Sequence, residues 1–342
     1  MMDMDLNRLQ NDLPLSSQWE RPSVIRHVAK IGDTQIHLAG LSTVDRAGQC
    51  VCGSAGQLAG SPLTRAYYEL IERTAVIEAM GRAHKEFEIH NAECEIVGAL
   101  CNQEIFLQSS DDKHWRYARS NGVAVGLNWQ DATRRAGLEL AERDRILRSW
   151  YGEFTPQKVE LYSGLVPRSL DLHYEFETYL FALANSPCEL PTVAGIFGFP
   201  RQDTAPLVFG FGARYGLQEA LAAAACECLQ RLGFLWGEAI PQDLPPFAPT
   251  PDFHQEYYLH PPHQIQLRAW LSGEHAKFAG VLTESSPEKG VPYFVDLTPN
   301  ALRNELVVVK ALPASELQLT FGRGHPRLRR APPEPLAIHP IA

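Results

Sequence analysis

Three stretches of this sequence place acids and a cation at helical spacing. "YYELIERTAV" carries Glu69, Glu72 and Arg73; "LELAERDRIL" carries Glu139, Glu142 and Arg143; "ECLQRLG" carries Glu227, Gln230 and Arg231. Residues three apart share a helix face, so Glu69 with Glu72, Glu139 with Glu142, and Glu227 with Gln230 each make a side-by-side pair. One such pair is ordinary on a solvated helix, because Glu and Arg are good helix formers. These helices are otherwise apolar or small-residue segments, where a charge is costly unless a cation or hydrogen bonds compensate it. Three pairs brought together would suit Mg2+, which takes carboxylates, waters and substrate phosphates in octahedral array. Magnesium points in turn to a nucleoside triphosphate. The chain has no G-x-x-x-x-G-K-[ST] loop, since "GSAGQLAGS" at 53–61 has the glycines without the spacing or the lysine. Metal bridges and arginines would have to hold the phosphates.

The elements that must position these residues follow from periodicity. A helix is expected from 63 to about 83, a second from about 130 to 151 behind Asn128 and Asp131, either of which can cap a first turn, and a third in "LQEALAAAACECLQRLGF", ending at Gly233. "VAKIGDTQIHLAGLSTVDRAGQCVCG" reads as short strands with a Gly-Asp hairpin. "FEIHNAECEIVGALCNQEIFLQ", "SNGVAVG", "KVELYSGL", "TVAGIFGFP", "LVFGFGARYG" and the pair "YFVDL" and "ELVVVKAL" also read as strands. "HYEFETYLFALANS" reads as a polar helix, and "IPQDLPPFAPTPDF" as a connector or lid that proline keeps out of helix. The expectation is one α/β (α+β) domain over 21–330, with a loose arm at 1–20 and a mobile proline-rich tail at 331–342.

Composition excludes several classes. A formal net charge of -9 argues against a nucleic-acid surface, which needs clustered Lys and Arg. The one dense basic run, "RGHPRLRR", reads as surface or as an internal anion contact. No basic-then-apolar leader and no run of about 18 apolar residues is present, so a cytoplasmic protein without membrane contact is expected. Seven cysteines without a C-x-x-C pair fit neither a disulfide framework nor a zinc ribbon and read as reduced thiols. Hydrolase signatures such as G-x-S-x-G and H-E-x-x-H are missing. Trp115, Trp129 and Trp150 read as core, and His325 and His339 as surface groups or participants in proton transfer.

"SNGVAVGLNWQDATRRAGLELAERD" at 120–144 resembles the signature segment of YcaO-family proteins, a turn leading into a helix that ends in Glu-x-x-Glu-Arg-Asp. Other landmarks follow in order. "AYYELIER" resembles the family's earlier Glu-x-x-Glu-Arg helix, "GFGARYGLQEALAAAACECLQ" its Gly-x-Gly-Ala turn with a Glu-x-x-Gln helix, and "YFVDLTPNALRNELVVVKALP" its closing strands. The likeness spans roughly residues 50 to 330. It implies a YcaO-like fold, with recurring strand-helix units around a central ATP and Mg2+ site. The implied enzyme activates a peptide backbone amide: the amide oxygen attacks the γ-phosphate, and elimination of phosphate follows.

Position by position, the resemblance places Glu72, Glu142 and Glu227 on the metal. It places Glu69, Glu139, Gln230, Ser120, Asn121 and Arg73 around the nucleotide, and assigns catalytic roles to Glu142, Arg143, Lys310 and His339. The chain is most similar to azoline-forming cyclodehydratase D subunits, which turn Cys, Ser or Thr of a ribosomally made (RiPP, bacteriocin-like) precursor into thiazoline or oxazoline. That implies a leader-bearing precursor peptide, a ThiF-like or recognition-element partner, and an FMN-dependent dehydrogenase acting afterwards. Two departures stand out: Gln57 occupies the position of a common lysine, and "PPEPLAIHPIA" matches the family's proline-rich end only in part. Rival readings are a thioamide- or amidine-forming enzyme, and a catalytically weakened scaffold subunit.

Overall fold

The computed structural model describes residues 15–82, 86–108, 113–160, 164–182, 191–274, 292–328 and 337–341. Alternating apolar and polar residues build β1 (Ser23–Ile31) and β2 (Thr34–Val44), which turn at Gly32 with φ 56°, as a Gly-Asp hairpin demands. With β3 (Cys50–Gln57) they form an antiparallel sheet in the order β1-β2-β3. Helix α1 (Leu63–Met80) follows directly. Next come β4 (Glu86–His90), β5 (Ile96–Cys101), the single turn α2 (Asn102–Ile105), β6 (Trp115–Tyr117) and β7 (Val123–Gly126). Helix α3 (Trp129–Trp150) is capped by Asn128, whose side chain accepts the Asp131 N–H. After it come β8 (Gln157–Val159), β9 (Tyr174–Leu180), β10 (Thr192–Pro200), β11 (Val208–Arg214) and helix α4 (Leu217–Leu235). The chain continues through α5 (Pro251–Leu259), α6 (Pro261–Leu271), β12 (Tyr293–Asp296), β13 (Val307–Leu312) and β14 (Thr320–Gly322).

A five-stranded sheet has the order β5-β4-β12-β13-β7, a four-stranded one the order β11-β10-β9-β8, and β14 pairs with β6; every pairing is antiparallel. The unit strand-then-helix occurs three times, as β3-α1, β7-α3 and β11-α4. In each, a glycine lets helix and strand backbones touch. A Cβ on Gly53, Gly126 or Gly210 would meet the backbone of α1, α3 or α4 at 2.2–2.3 Å. Helix α3 lies between the two large sheets. Ala132, Ala136 and Leu140 pack toward Val309 and Ala311 of β13, while Leu138, Leu147 and Trp150 pack toward Phe197 and Phe209 of the four-stranded sheet.

The structure corrects four expectations. The segment read as a polar helix is strand β9; its residues beyond 182 lie outside those described. Helix α4 passes through Gly233 and ends at Leu235. Helices α5 and α6 follow a connector whose prolines do stay out of helix until Pro251, where Thr250 caps the turn and proline occupies a first-turn position that needs no N–H. The far end of the expected mobile tail is enclosed. Ala337, Ile338, His339 and Ile341 are all at most 4% exposed. At the other end Trp19 is buried and donates its indole N–H to Glu78; residues 1–14 and 331–336 lie outside the described part.

Candidate active site

Each carboxylate pair is anchored to backbone before any ligand is considered. Glu69 accepts the Ser54 N–H of β3 at 2.6 Å and pairs with Arg73 at 2.5 Å, while Arg73 also donates to the Cys52 carbonyl. Glu72 reaches across to β7 and accepts the Val125 N–H at 2.9 Å. Glu139 accepts a backbone bond from Gly122, at the turn into β7. Glu227 accepts the Phe211 N–H of β11 at 2.9 Å, and Gln230 accepts the Gly56 N–H of β3 at 3.1 Å. Glu72 and Glu227 thus each accept through one carboxylate oxygen, whereas both oxygens of Glu69 are engaged, one by Ser54 and one by Arg73.

The pairs converge on one cleft. Burial raises the proton affinity of Glu72, and the charge of Glu139 adds to it, so that its carboxyl is pushed up to about 8. Glu142 is raised by burial against the pull of Arg143, with Glu227 and Glu139 adding repulsion. Glu139 is raised by burial despite Arg143 and Lys310. Arg143 lies 3.4 Å from Glu142 and in the field of Glu139 and Glu227, and these three acids hold its proton more firmly in spite of burial. Glu69, Glu72, Glu139, Glu142, Glu227 and Arg143 therefore form one electrostatic unit drawn from three helices.

Lys310 of β13 approaches from beneath. Its ammonium donates to the carbonyls of Asn121 at 2.6 Å and Arg119 at 3.3 Å, and burial brings it down to about 8 although Glu139 opposes the shift. Asn121 is buried, with its side-chain oxygen unpartnered, whereas Ser120 is exposed and shapes the turn through its carbonyl, which accepts the Val123 N–H.

His339 is not part of this carboxylate group. It is buried, its Nε2–H donates to the Thr320 carbonyl at 2.5 Å, and its ring packs on His254 at 4.4 Å. Arg143 is near enough to help keep it neutral, though burial is the main cause. His325 is buried as well and held by the Gln318 carbonyl, so neither histidine is a surface group. Of the tryptophans, Trp150 is fully buried, while Trp115 and Trp129 are half-buried. The basic run is partly turned inward, Arg323 lying over Phe247 and Arg327 donating to the Ser315 carbonyl.

Three residues that sequence reasoning did not single out shape the site. Asp144 accepts from Arg148 at 2.7 Å and from the Leu317 N–H at 2.8 Å, tying α3 to the chain between β13 and β14. Arg214, at the end of β11, feels the charge of Glu142. Arg65, one turn before Glu69, meets the Gly56 carbonyl and Cys226. The spacing of Arg65 was visible in the sequence; its neighbour Cys226, 161 positions away, was not.

This donor set fits a magnesium-nucleotide pair. The donors are carboxylate oxygens together with the side-chain oxygen of Asn121, hard ligands of the kind Mg2+ prefers. Among the described residues no three His, Cys, Asp or Glu side chains stand as a ready cage, so an ion reached by Glu72, Glu142 and Glu227 would draw the rest of its shell from water and phosphate. The buried Nε of Arg143 and the side-chain oxygen of Asn121 lack partners in the protein, leaving polar groups for a ligand to satisfy. Glu72, Glu142 and Glu227 would hold the metal, and Arg143 and Lys310 would offset phosphate charge.

Carboxylates gathered from three strand-helix units fit a magnesium-nucleotide site, and comparison specifies the family. The model of a family described as YcaO cyclodehydratase, ATP- and Mg2+-binding, matches residues 99–312. The chain belongs to the YcaO family, whose cofactors are ATP and Mg2+. Among solved structures it is similar to YcaO from Methanopyrus kandleri bound with AMPPCP and Mg2+, at 18% identity over 84% of each chain with a TM-score of 0.57. A heterocyclase in complex with substrate and cofactor matches at 13% identity and TM-score 0.55, over 84% of this chain and 49% of that one. The E. coli microcin synthetase McbBCD complex contributes a chain 12% identical with TM-score 0.52, covering 87% and 88%. At these identities the likeness is one of fold. No curated protein sequence matches the chain.

Proposed function

We propose that this protein is a cyclodehydratase subunit that uses ATP to phosphorylate a backbone amide oxygen of a ribosomally made precursor peptide, closing Cys, Ser or Thr onto the activated carbon to give thiazoline or oxazoline. The observation that carries the reading is the convergence of Glu69, Glu72, Glu139, Glu142 and Glu227 around Arg143. Bound ATP would supply the phosphoryl group that makes the amide oxygen a leaving group. The protein's share is positioning and charge neutralisation, as phosphoryl transfer requires.

Glu72, Glu142 and Glu227 would hold the metal; burial keeps protons on the first two, so they would release them on binding it. Glu69, Glu139, Gln230, Ser120, Asn121 and Arg73 shape the nucleotide site. Arg143 and Lys310 face developing phosphate charge. His339 is enclosed and neutral, so its role is to order the C-terminal residues near Arg143. Residues 21–330 act as one catalytic domain. The heterocyclase and microcin synthetase likenesses support a precursor peptide and partner proteins, here a leader-delivering subunit and a later FMN-dependent dehydrogenase. No described helix is long and apolar enough to cross a membrane, in keeping with a cytoplasmic setting.

The test is phosphate release coupled to peptide mass, with precursor and partner present, in wild type and Glu142→Gln. Loss of one water per modified residue, abolished in the variant, is expected. Replacement of oxygen by sulfur would mean thioamide formation instead, and stable complex formation with neither phosphate release nor mass change would leave a scaffold.

A further inference from the structure

Two arginines beside the carboxylates are held by carbonyl and thiol acceptors and form no ion pair among the described residues. Arg65 stands four residues before Glu69 and seven before Glu72, on the same face of α1. Its guanidinium meets the Gly56 carbonyl at 3.4 Å and the Cys226 sulfur at 2.7 Å, next to Glu227 on α4. Neither contact carries a full negative charge, and among the described residues Arg65 has no carboxylate partner. Arg214 closes β11 and donates only to the carbonyl of its chain neighbour Ala213, at 2.6 Å. Arg214 is attracted by Glu142 and repelled by Arg135, Arg134 and, least, Arg65. Arg134 and Arg135 are each paired with Asp131, at 2.9 and 3.0 Å; among the described residues Arg65 and Arg214 form no ion pair.

Two guanidinium groups held by weak acceptors, one on Cys226 next to Glu227 and the other three residues beyond the Phe211 that Glu227 binds, mark a place for an anion that the acids cannot themselves supply. A guanidinium fork matches phosphate oxygens in shape and charge. An anion there must also tolerate the carboxylates beside it, which a metal-bridged polyphosphate does and a peptide carboxylate does not. We propose that Arg65 and Arg214 contact the terminal phosphates of the nucleotide, offsetting their charge in a chain without a lysine-bearing phosphate loop. This rests on the cleft being the nucleotide site proposed above.

The experiment is calorimetric titration of the full-length protein with Mg2+ and AMPPCP, and separately with AMP, in wild type, Arg65→Gln, Arg65→Lys and Arg214→Gln. Each Gln variant should bind AMPPCP about tenfold to a hundredfold more weakly, as loss of a charge-assisted contact predicts. AMP affinity should stay within about twofold, and Arg65→Lys should recover part of the loss. Unchanged thermal midpoints without ligand exclude misfolding as the cause. AMPPCP affinity unaffected in both Gln variants would overturn the assignment, as would equal weakening of AMP. Weakened binding of the precursor peptide alone would give these arginines to an acidic peptide and also overturn it. Wild type that binds neither nucleotide would instead sink the nucleotide reading of the cleft, and the arginine assignment with it.

Discussion

The cleft and the docked C-terminal residues both enclose titratable side chains, but they treat protons in opposite ways. In the cleft, burial and mutual repulsion leave Glu72, Glu139 and Glu142 holding protons more tightly than free carboxylates. Around the C-terminus, burial keeps His254, His325 and His339 neutral. The Gly322 N–H donates to His254 Nε2, so Nδ1 carries the proton and donates to the His339 carbonyl at 2.9 Å. His325 likewise accepts the Arg327 N–H and donates to the Gln318 carbonyl. A second proton on either ring would break one of its bonds. The binding cleft is left short of positive charge, whereas the tail seat is closed to further change.

The comparison can be broken most directly at Glu142. Glu142→Gln should lower ATP-dependent turnover by about a thousandfold, in line with losing a group that positions transition-state charge. The same change should leave the unliganded thermal midpoint unaltered or raised, because one repelling carboxylate is gone; a large fall in the midpoint would show the acid to be structural. Next in size, deleting residues 337–342 exposes the cavity left by Ile338 and Ile341 and should cost about 2–5 kcal/mol in urea unfolding. No loss would mean the tail seat contributes nothing to the fold.

A pH series sharpens the contrast. Folded Glu72 keeps its proton up to about pH 8 while an unfolded Glu releases it near 4.5, so between these values the folded state holds more protons and unliganded stability falls as pH rises. Folded His254 and His325 stay neutral down to about pH 4 while unfolded His takes a proton near 6.5, so their contribution is lost as pH falls through that window. Each slope is bounded by about 1.4 kcal/mol per pH unit per group. Unfolding free energies measured from pH 4 to 9 should therefore fall toward both ends, and Mg2+ affinity should climb between pH 6 and 8 as binding expels the carboxyl protons. A flat Mg2+ profile would contradict the assignment of Glu72 to the metal. Smallest is Asn128→Ala, which removes the α3 cap and should cost about 1 kcal/mol, checked by thermal unfolding.

The carboxylate pairs were legible in the sequence because Glu-x-x-Glu is a local pattern and helix geometry fixes its consequence. The three strand-helix units were legible for the same reason. Arg65, Arg214 and the enclosed His339 were not, since their surroundings come from residues far away in the chain. Arg65 gives no hint of Cys226, and His339 looks exposed until Ile338 and Ile341 are seen to anchor it. The error at β9 is instructive. Only "YEFE" alternates apolar and acidic residues; Thr178 and Tyr179 are both buried in succession, so the period of two is too short to mark the strand. The start of helix α5 was hidden by prolines read as breakers, although Pro251 sits at a first-turn position where proline is compatible with helix.

Two of the backbone ties described above cross between units: Glu72 of α1 holds β7, and Gln230 of α4 holds β3. Neither helix can present its clamp in the observed geometry until a strand from another part of the chain has arrived. During refolding, then, competence to bind nucleotide should return only with the last of the three units, later than the helical signal, making ligand capture a clock for completion of the whole fold.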